Sequence, residues 1–397
     1  MTTATPAQRL LTRSQRTALT VGVAGALASI VGAFFNPDQF FRSYLIALLF
    51  WLGIALGSLG LLMIYHLVGG TWGFILRRIL EAATLTLPLL ALVWLPLALG
   101  YQHIYPWATA GALAGAEAAH RRTYLSFPFW FGRAVAYWLI WSVIAYVLNR
   151  LSRLQDQAAT PVPTARLVRL SPPGLILLVL TVSFAWIDWV MSLEPDWYST
   201  IFGFIALVGH GMAALCFALI VVLLLIDREP FATLLGDKPS RLNDLGNLLL
   251  TFVMLWAYTS FSQFLIIWYG NLQRETVWYR HRMAGAWEYV ALALIVLHFF
   301  VPFLLLLSRS IKRRPQILLG LAAGLLLMHL IDIWWQVLPA FHPTGLSLHW
   351  QDIVAPIALG GLWLAASLWL IQRRPLLAQR DPHAPQLVAY AGAEPAT

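Results

Sequence analysis

LNDLGNLLLTFVMLWAYTSFSQFLIIWYG, residues 242–270, is apolar enough to cross a membrane, yet it carries a regular polar stripe. Asp244, Asn247, Thr251, Tyr258 and Ser262 follow steps of 3, 4, 7 and 4 residues. At about 100° per residue these side chains share one narrow helical face, interrupted only at Leu255. The stripe covers 18 residues, roughly 27 Å at helical rise, close to the ~30 Å hydrocarbon core of a bilayer. Polar groups facing lipid are costly, so this face is expected to look into a helix bundle or a wet path. The alternative is interhelical hydrogen-bond glue, which small polar residues often provide between membrane helices. Asp244 is the stripe's only ionisable member besides Tyr258 and favours the path.

The rest of the chain has the same character. It has 397 residues, 60% hydrophobic and 11% charged, with a mean hydropathy of +0.72. Soluble domains carry about twice that charge. The apolar runs are long and unalternating, which excludes a β-barrel and predicts an all-α polytopic membrane protein. Ten spans are expected, at 19–35, 44–68, 78–99, 128–148, 173–192, 200–226, 245–269, 287–308, 316–338 and 352–371. Residues 1–18 and 372–397 then flank a single transmembrane domain, and the Ala- and Pro-rich tail reads as disordered. Arg9 to Arg16 resembles the n-region of a signal peptide, with Ala26-Leu27-Ala28 as a cleavage-like site. The apolar run continues to Phe35, however, and argues for a retained span.

The net charge of +9 is topological. Nineteen of the 26 Lys and Arg fall on one side of the spans, among them Arg77, Arg78, Lys238 and Arg374. Six fall on the other (Arg42, Arg121, Arg122, Arg274, Arg280 and Arg282), and Arg133 lies within a span. The positive-inside rule therefore places both termini in the cytoplasm, with some attraction to anionic lipid and no nucleic-acid footprint. Cys216 is the single cysteine. It permits no disulfide, no CxxCH haem attachment and no cysteine-ligated cluster, and reads as a small buried hydrophobe.

An internal echo adds to this. Ile187-Asp188 precedes Pro195 by the interval at which Ile331-Asp332 precedes Pro339, four spans later. Such an offset preserves direction across the membrane. It suggests two parallel four-helix bundles, spans 2–5 (about 44–192) and 6–9 (about 200–338), with spans one and ten peripheral.

Ionisable residues inside spans are functional suspects. His66, Glu81, Arg133, Asp188, His210, Asp244, Glu288, His298, His329 and Asp332 qualify. His329 and Asp332 are three apart on one helical face. Carboxylates at both rims with imidazoles at depth suit a proton relay, because burial disfavours the charged form of acid and imidazole alike. In the proposed path Asp188, Glu194 and Asp332 serve the outer end and Glu81 with Asp244 the inner. Glu288 lies toward the outer face, His210 and His298 near mid-membrane with His329 a further member, and Asn247, Thr251, Tyr258 and Ser262 form the polar lining. The competing reading of Arg133 is a structural ion pair with Asp188 or Glu288. Single histidines on separate spans do not match a haem-binding pair, and within the spans no HxxxH, ExxH or CxxC metal pattern occurs. Ser192 to Tyr198 holds Glu194 and Asp196, no cation and a helix-stopping proline. This outer acidic loop reads as a docking surface or proton exit.

Three stretches carry a family resemblance. Phe184-Ala185-Trp186-Ile187-Asp188-Trp189-Val190-Met191-Ser192-Leu193-Glu194-Pro195 is the first, and Leu242-Asn243-Asp244-Leu245-Gly246-Asn247 the second. Tyr258 to Asn271, with Trp287 through His298 to Ser308-Arg309, is the third. Together, over roughly 175–340, they resemble the F-type membrane subunit of bacterial alternative complex III, related to the NrfD and polysulfide-reductase membrane-anchor family. The resemblance implies a ten-helix subunit of a quinol:cytochrome c oxidoreductase in the bacterial cytoplasmic membrane. Quinol or menaquinol is then the substrate of the complex. Haem c and iron–sulfur clusters sit in partner subunits, and this chain binds no redox cofactor of its own. The implied partners are a C-type sister membrane subunit, an iron–sulfur subunit, multihaem cytochrome c subunits and lipids. Residues 128–148 hold no histidine, so no quinol-ligating histidine carries over to that span. The C-type subunit is the expected quinol site, and a proton path is expected here. Two rival readings are a secondary transporter, though no paired broken helices mark a midplane site, and a passive anchor for a respiratory or photosynthetic complex.

Overall fold

A computed structural model describes residues 5–109, 119–157, 160, 162–236 and 238–382. Among these residues the regular elements are all helical. The first half holds α1 (Pro6–Phe35), α2 (Pro37–Val68), α3 (Thr71–Thr84), α4 (Leu87–Leu99), α5 (Ala119–Tyr124), α6 (Phe127–Gln157) and α7 (Val162–Trp189). The second holds α8 (Phe202–Leu224), α9 (Pro239–Gly270), α10 (Gln273–Met283), α11 (Trp287–Ala293), α12 (Val301–Leu307), α13 (Arg309–Lys312), α14 (Pro315–Val337) and α15 (Trp350–Gln372). A π-helical segment, Leu294–Phe300, joins α11 to α12.

Nine helices among the described residues are long and apolar enough to cross a membrane, counting α11 to α12 as one. A tenth span arises if α3 and α4, bent by 41° at their junction, are taken together. The protein is therefore a polytopic helical membrane protein. The bend has a local cause. Pro88 stands at the start of α4, lacks an N–H, and would clash with the carbonyl four residues back in a continuous helix. Two hydroxyls add to the backbone bonds that close α3: Thr84 donates to Glu81 O (2.8 Å) and Thr86 to Ala83 O (2.6 Å).

Several span limits differ from expectation. α7 continues through Pro172 and Pro173 and begins at Val162, while α6 runs on to Gln157. The expected 149–171 connection shrinks to a few residues. α1 begins at Pro6 rather than near 19, behind a capping box in which Thr5 and Gln8 exchange hydrogen bonds. The tail also differs: residues 373–382 pack against the bundle, while 383–397 lie outside the described residues.

α2 and α8 sit at the centre, with 94% and 83% of their most apolar windows buried. Both are apolar on all faces, as centrally buried helices are. They approach closely because α2 carries glycine at the crossing. A Cβ on Gly57 would stand 1.9 Å from the backbone oxygen of His210. α2 also packs on α3, α4 and α7, and α6 on α4 and α7. α8 packs on α9 and α14, and the α11–α12 span closes against α9 and α14. α1 lies along α15, which in turn packs on α2. Thr12 Oγ1 donates to Gln372 Oε1 (2.7 Å), so the start of α1 and the finish of α15 share one end of the molecule. We call it the terminal end and its opposite the far end.

Candidate functional site

The far end of α7 holds Asp188, fully buried. Arg133, reaching from α6, grips it with Nη2 on Oδ1 (2.7 Å) and Nε on Oδ2 (2.9 Å), and Tyr137 donates to Oδ2 (2.9 Å). Of the two partners considered for Arg133, the structure selects Asp188. The guanidinium also faces the rings of Tyr124 and Phe129, at 3.8 and 4.6 Å. A forked guanidinium matches both carboxylate oxygens at once. This carboxylate is closed off by its partners.

Asp332, its counterpart in the sequence echo, has a different environment. It sits near the far end of α14, 4% exposed, and accepts from Trp256 Nε1 of α9 (3.2 Å) and Gln336 Nε2 (3.0 Å). No cation pairs with it among the described residues. Asp332 and His329, three apart on one helical face, do not bond to each other, and Trp256 and Gln336 take the carboxylate instead. His329 turns toward α8, its ring 6.2 Å from that of His210 and 6.0 Å from Phe50. His298, in the π segment, packs its ring 4.2 Å from Trp256. Trp186 of α7 stands 4.8 Å from His210 and donates to Gln336 Oε1 (3.4 Å). His210, His298, His329 and Asp332, from three spans, thus form one buried array with Trp186, Trp256 and Gln336. Both ring nitrogens of all three histidines are buried without a hydrogen-bond partner among the described residues. Buried nitrogens of this kind ordinarily bond to water or ligand.

A cavity of about 640 Å³ adjoins the array between α8, α9, α10, the α11–α12 span and α14. Asp332, Gln336, Gln263 and Tyr279 give its wall polar groups, and Trp256, Phe264 and Trp278 are among the aromatics that line it. Its exposed rim includes Phe261, Leu292 and Ile295, on the apolar outer surface of the bundle, and Glu288. A mostly apolar cleft of this size with a few convergent polar groups is the usual form of a small-molecule site.

Above the cavity, Arg282 of α10 donates to Glu194 Oε2 (2.8 Å) and to Gln336 O (2.5 Å), and faces Trp278 at 3.6 Å. Burial pushes the Arg282 guanidinium down to about 10, against the opposing pull of Glu194. His281 Nδ1 meets Glu194 Oε1 at 2.7 Å, and Arg121 pairs with Asp196. The expected acidic docking loop is corrected accordingly. Its carboxylates are matched by cations delivered from α10 and α5, distant in sequence.

At the terminal end Glu81 accepts from Arg77 (2.8 Å), Arg78 (2.6 Å), Arg374 (2.9 Å) and Ser152 (2.6 Å), all reaching a carboxylate 3% exposed. Arg78 also grips both oxygens of Asp156 (2.5 Å each). The post-α15 segment completes the cluster: Asp381 accepts from Arg77 (2.5 Å) and Tyr65 (2.7 Å). Sequence reasoning missed Arg77, Arg78 and Asp381 as internal groups, because basic residues near a span end ordinarily face solvent.

The α9 stripe falls on the wrong side of its helix for an internal path. Asp244, Asn247, Thr251 and Tyr258 are exposed, Tyr258 at 69%, and Ser262 is half-buried. Asn247 is held by Lys312 Nζ (2.5 Å), and Thr251 bonds back to Asn247 O (3.0 Å). The inward face is set by Leu245, Leu249, Val253 and Trp256, with Thr259 and Gln263 as its polar members. Four larger apolar or amphipathic positions outweigh a stripe of small polar groups in deciding which face is buried. Cys216 is fully buried in α8, as expected of a small hydrophobe. No protein-family model and no curated protein matches this chain.

Proposed function

We propose that this chain is an integral membrane subunit of a quinol:cytochrome c oxidoreductase of the alternative complex III type, with a proton-conducting and quinone-interacting role. In this reading α2 to α7 and α8 to α14 form two parallel four-helix bundles flanked by α1 and α15. Both termini face the cytoplasm of a bacterial inner membrane. The supporting observation is Asp332: a buried carboxylate with no cation beside it among the described residues, on the wall of a cavity open toward the apolar outer surface and backed by three histidines.

The chemistry follows from that placement. A quinol head entering past Phe261 and Leu292 meets an acceptor carboxylate held in place by Trp256 and Gln336. Its two hydroxyl protons leave in turn through Asp332, the first moving on to the histidines before the second arrives, and the redox centres of partner subunits would take its two electrons. A positioned carboxylate at hydrogen-bond reach is what general-base proton removal requires. His298, His329 and His210 lead inward from the acid as further proton carriers. Asp188, clamped by Arg133, has a structural part in this scheme.

The test is purification of the tagged chain in mild detergent with whatever accompanies it. Co-elution with multihaem and iron–sulfur subunits, with quinol:cytochrome c activity lowered in Asp332→Asn, supports the reading. Elution of the chain alone sinks it, and substrate flux by the isolated chain would favour a transporter.

A further inference from the structure

α1 packs along α15 over most of its length, and two of these contacts, an upper and a lower, bracket a groove. At the upper contact a Cβ on Gly22 would stand 2.5 Å from the backbone nitrogen of Leu362, so only glycine permits the approach. At the lower, Gln372 accepts from Thr12 (2.7 Å) and donates to Gln15 (2.8 Å). Beside this pair, toward α2, runs a membrane-facing groove of about 590 Å³. Trp51 of α2 floors it, pressed so near Gly360 that a Cβ there would lie 2.2 Å from the ring. The indole is fixed by a hydrogen bond to Pro356 O (2.9 Å).

The two ends of this groove differ chemically. Leu10, Arg13, Ser14, Thr17, Ala18 and Val21 repeat at helical spacing along one face of α1, polar first and apolar further on. Arg13 is exposed and pairs with no acid among the described residues, and the Ser14 and Thr17 hydroxyls lie on the same face. Beyond them Val21, Ile357 and Leu364 offer only hydrocarbon. α1 has 30 residues, about 45 Å at helical rise. That exceeds a ~30 Å core and puts the Arg13 turn at headgroup level.

We infer that this groove is a binding site for one anionic phospholipid, its phosphate on Arg13 with Ser14 and Thr17, its acyl chain along Val21, Trp51 and Leu364. A guanidinium fork and two hydroxyls suit a phosphate, whose oxygens can accept from all three, and the apolar wall beyond suits an acyl chain. Positive charge near the membrane surface selects anionic over zwitterionic lipid.

The full chain, delipidated in detergent, is titrated with phosphatidylglycerol or phosphatidylcholine and read by native mass spectrometry. One phosphatidylglycerol retained per chain is expected for the native protein and for Arg16→Gln, which removes the same charge outside the groove. Arg13→Gln is expected to lose it, and phosphatidylcholine not to be retained. Equal retention by Arg13→Gln and the native protein, equal loss in both variants, or equal retention of the two lipids would each overturn the assignment.

Discussion

The indole of Trp256 joins two buried groups: its Nε1 donates to Asp332 Oδ2 at 3.2 Å while its ring packs 4.2 Å from His298. One aromatic side chain of α9 thus sets the distance between a carboxylate on α14 and an imidazole in the π segment. Asp332 has no ion-pair partner among the described residues, so its orientation rests on this bond and on Gln336.

Asp332→Asn keeps the shape and both neighbours but removes the proton acceptor. Quinol:cytochrome c turnover of the purified complex should fall at least about tenfold, given that a positioned general base contributes roughly 10²–10⁴. Subunit composition should not change. Trp256→Phe should give a smaller loss, because the carboxylate remains but is held by Gln336 alone. Full turnover in the Asn variant would remove Asp332 from the reaction.

Arg133→Gln tests the other carboxylate. It leaves Asp188 charged at zero exposure, and breaking a buried pair from one side costs about 3–5 kcal/mol. Thermal unfolding in detergent should show a clear drop in midpoint. The double replacement Arg133→Met with Asp188→Leu should recover most of it, because no buried charge is then left alone. A single variant as stable as the native chain would show that the pair adds nothing.

Truncation after Arg373 should destabilise the terminal end. It removes Arg374 from Glu81 and Asp381 from Arg77 and Tyr65, leaving buried donors short of acceptors at about 1–3 kcal/mol each. Protease accessibility and unfolding temperature would register it. Asp381→Asn, which keeps the segment, should lose a smaller share. A truncated chain with unaltered unfolding would refute the packing of residues 374–382.

The two polar faces of α9 predict opposite behaviour in the isolated chain. Tyr258→Phe with Ser262→Ala should shift stability by no more than about 0.5 kcal/mol, as surface changes do. Gln263→Leu, which strips Ser199 and Tyr279 of a partner, should cost about 1–3 kcal/mol. Equal effects would mean that α9 is rotated from the orientation described here.

Much of this was legible in composition and spacing. Apolar run length located the spans, and a lone arginine in a span pointed to a carboxylate that does pair with it. Periodicity places Asp244, Asn247, Thr251 and Tyr258 on one face but does not say which way that face points. Here Trp256 misled: counted as apolar, it hid the polar edge of the inward face, where its N–H reaches Asp332. The pairing of Glu194 with Arg282, and of Asp381 with Arg77, joins residues 88 and 304 positions apart. No local pattern encodes such contacts. Pro172 and Pro173 stand at the expected start of span five, and a proline removes one helical hydrogen bond, yet neighbouring packing holds α7 together through them.

Leu294, His298, Pro302 and Leu306 are buried at steps of four along the α11–α12 span. An ideal α-helix would swing that series about 40° per step away from the core. The π segment absorbs the drift, since a π turn is an α turn carrying a surplus residue. That surplus makes the span tolerant of one particular change in length. Deleting a single residue between Leu294 and His298 would let the segment close into ordinary α-helix while Pro302 and everything after it keep their register. His298 would then follow Leu294 by three residues and stand about 60° from it around the helix axis. The histidine nearest Trp256 is thus held at its angle by one surplus residue in the helix.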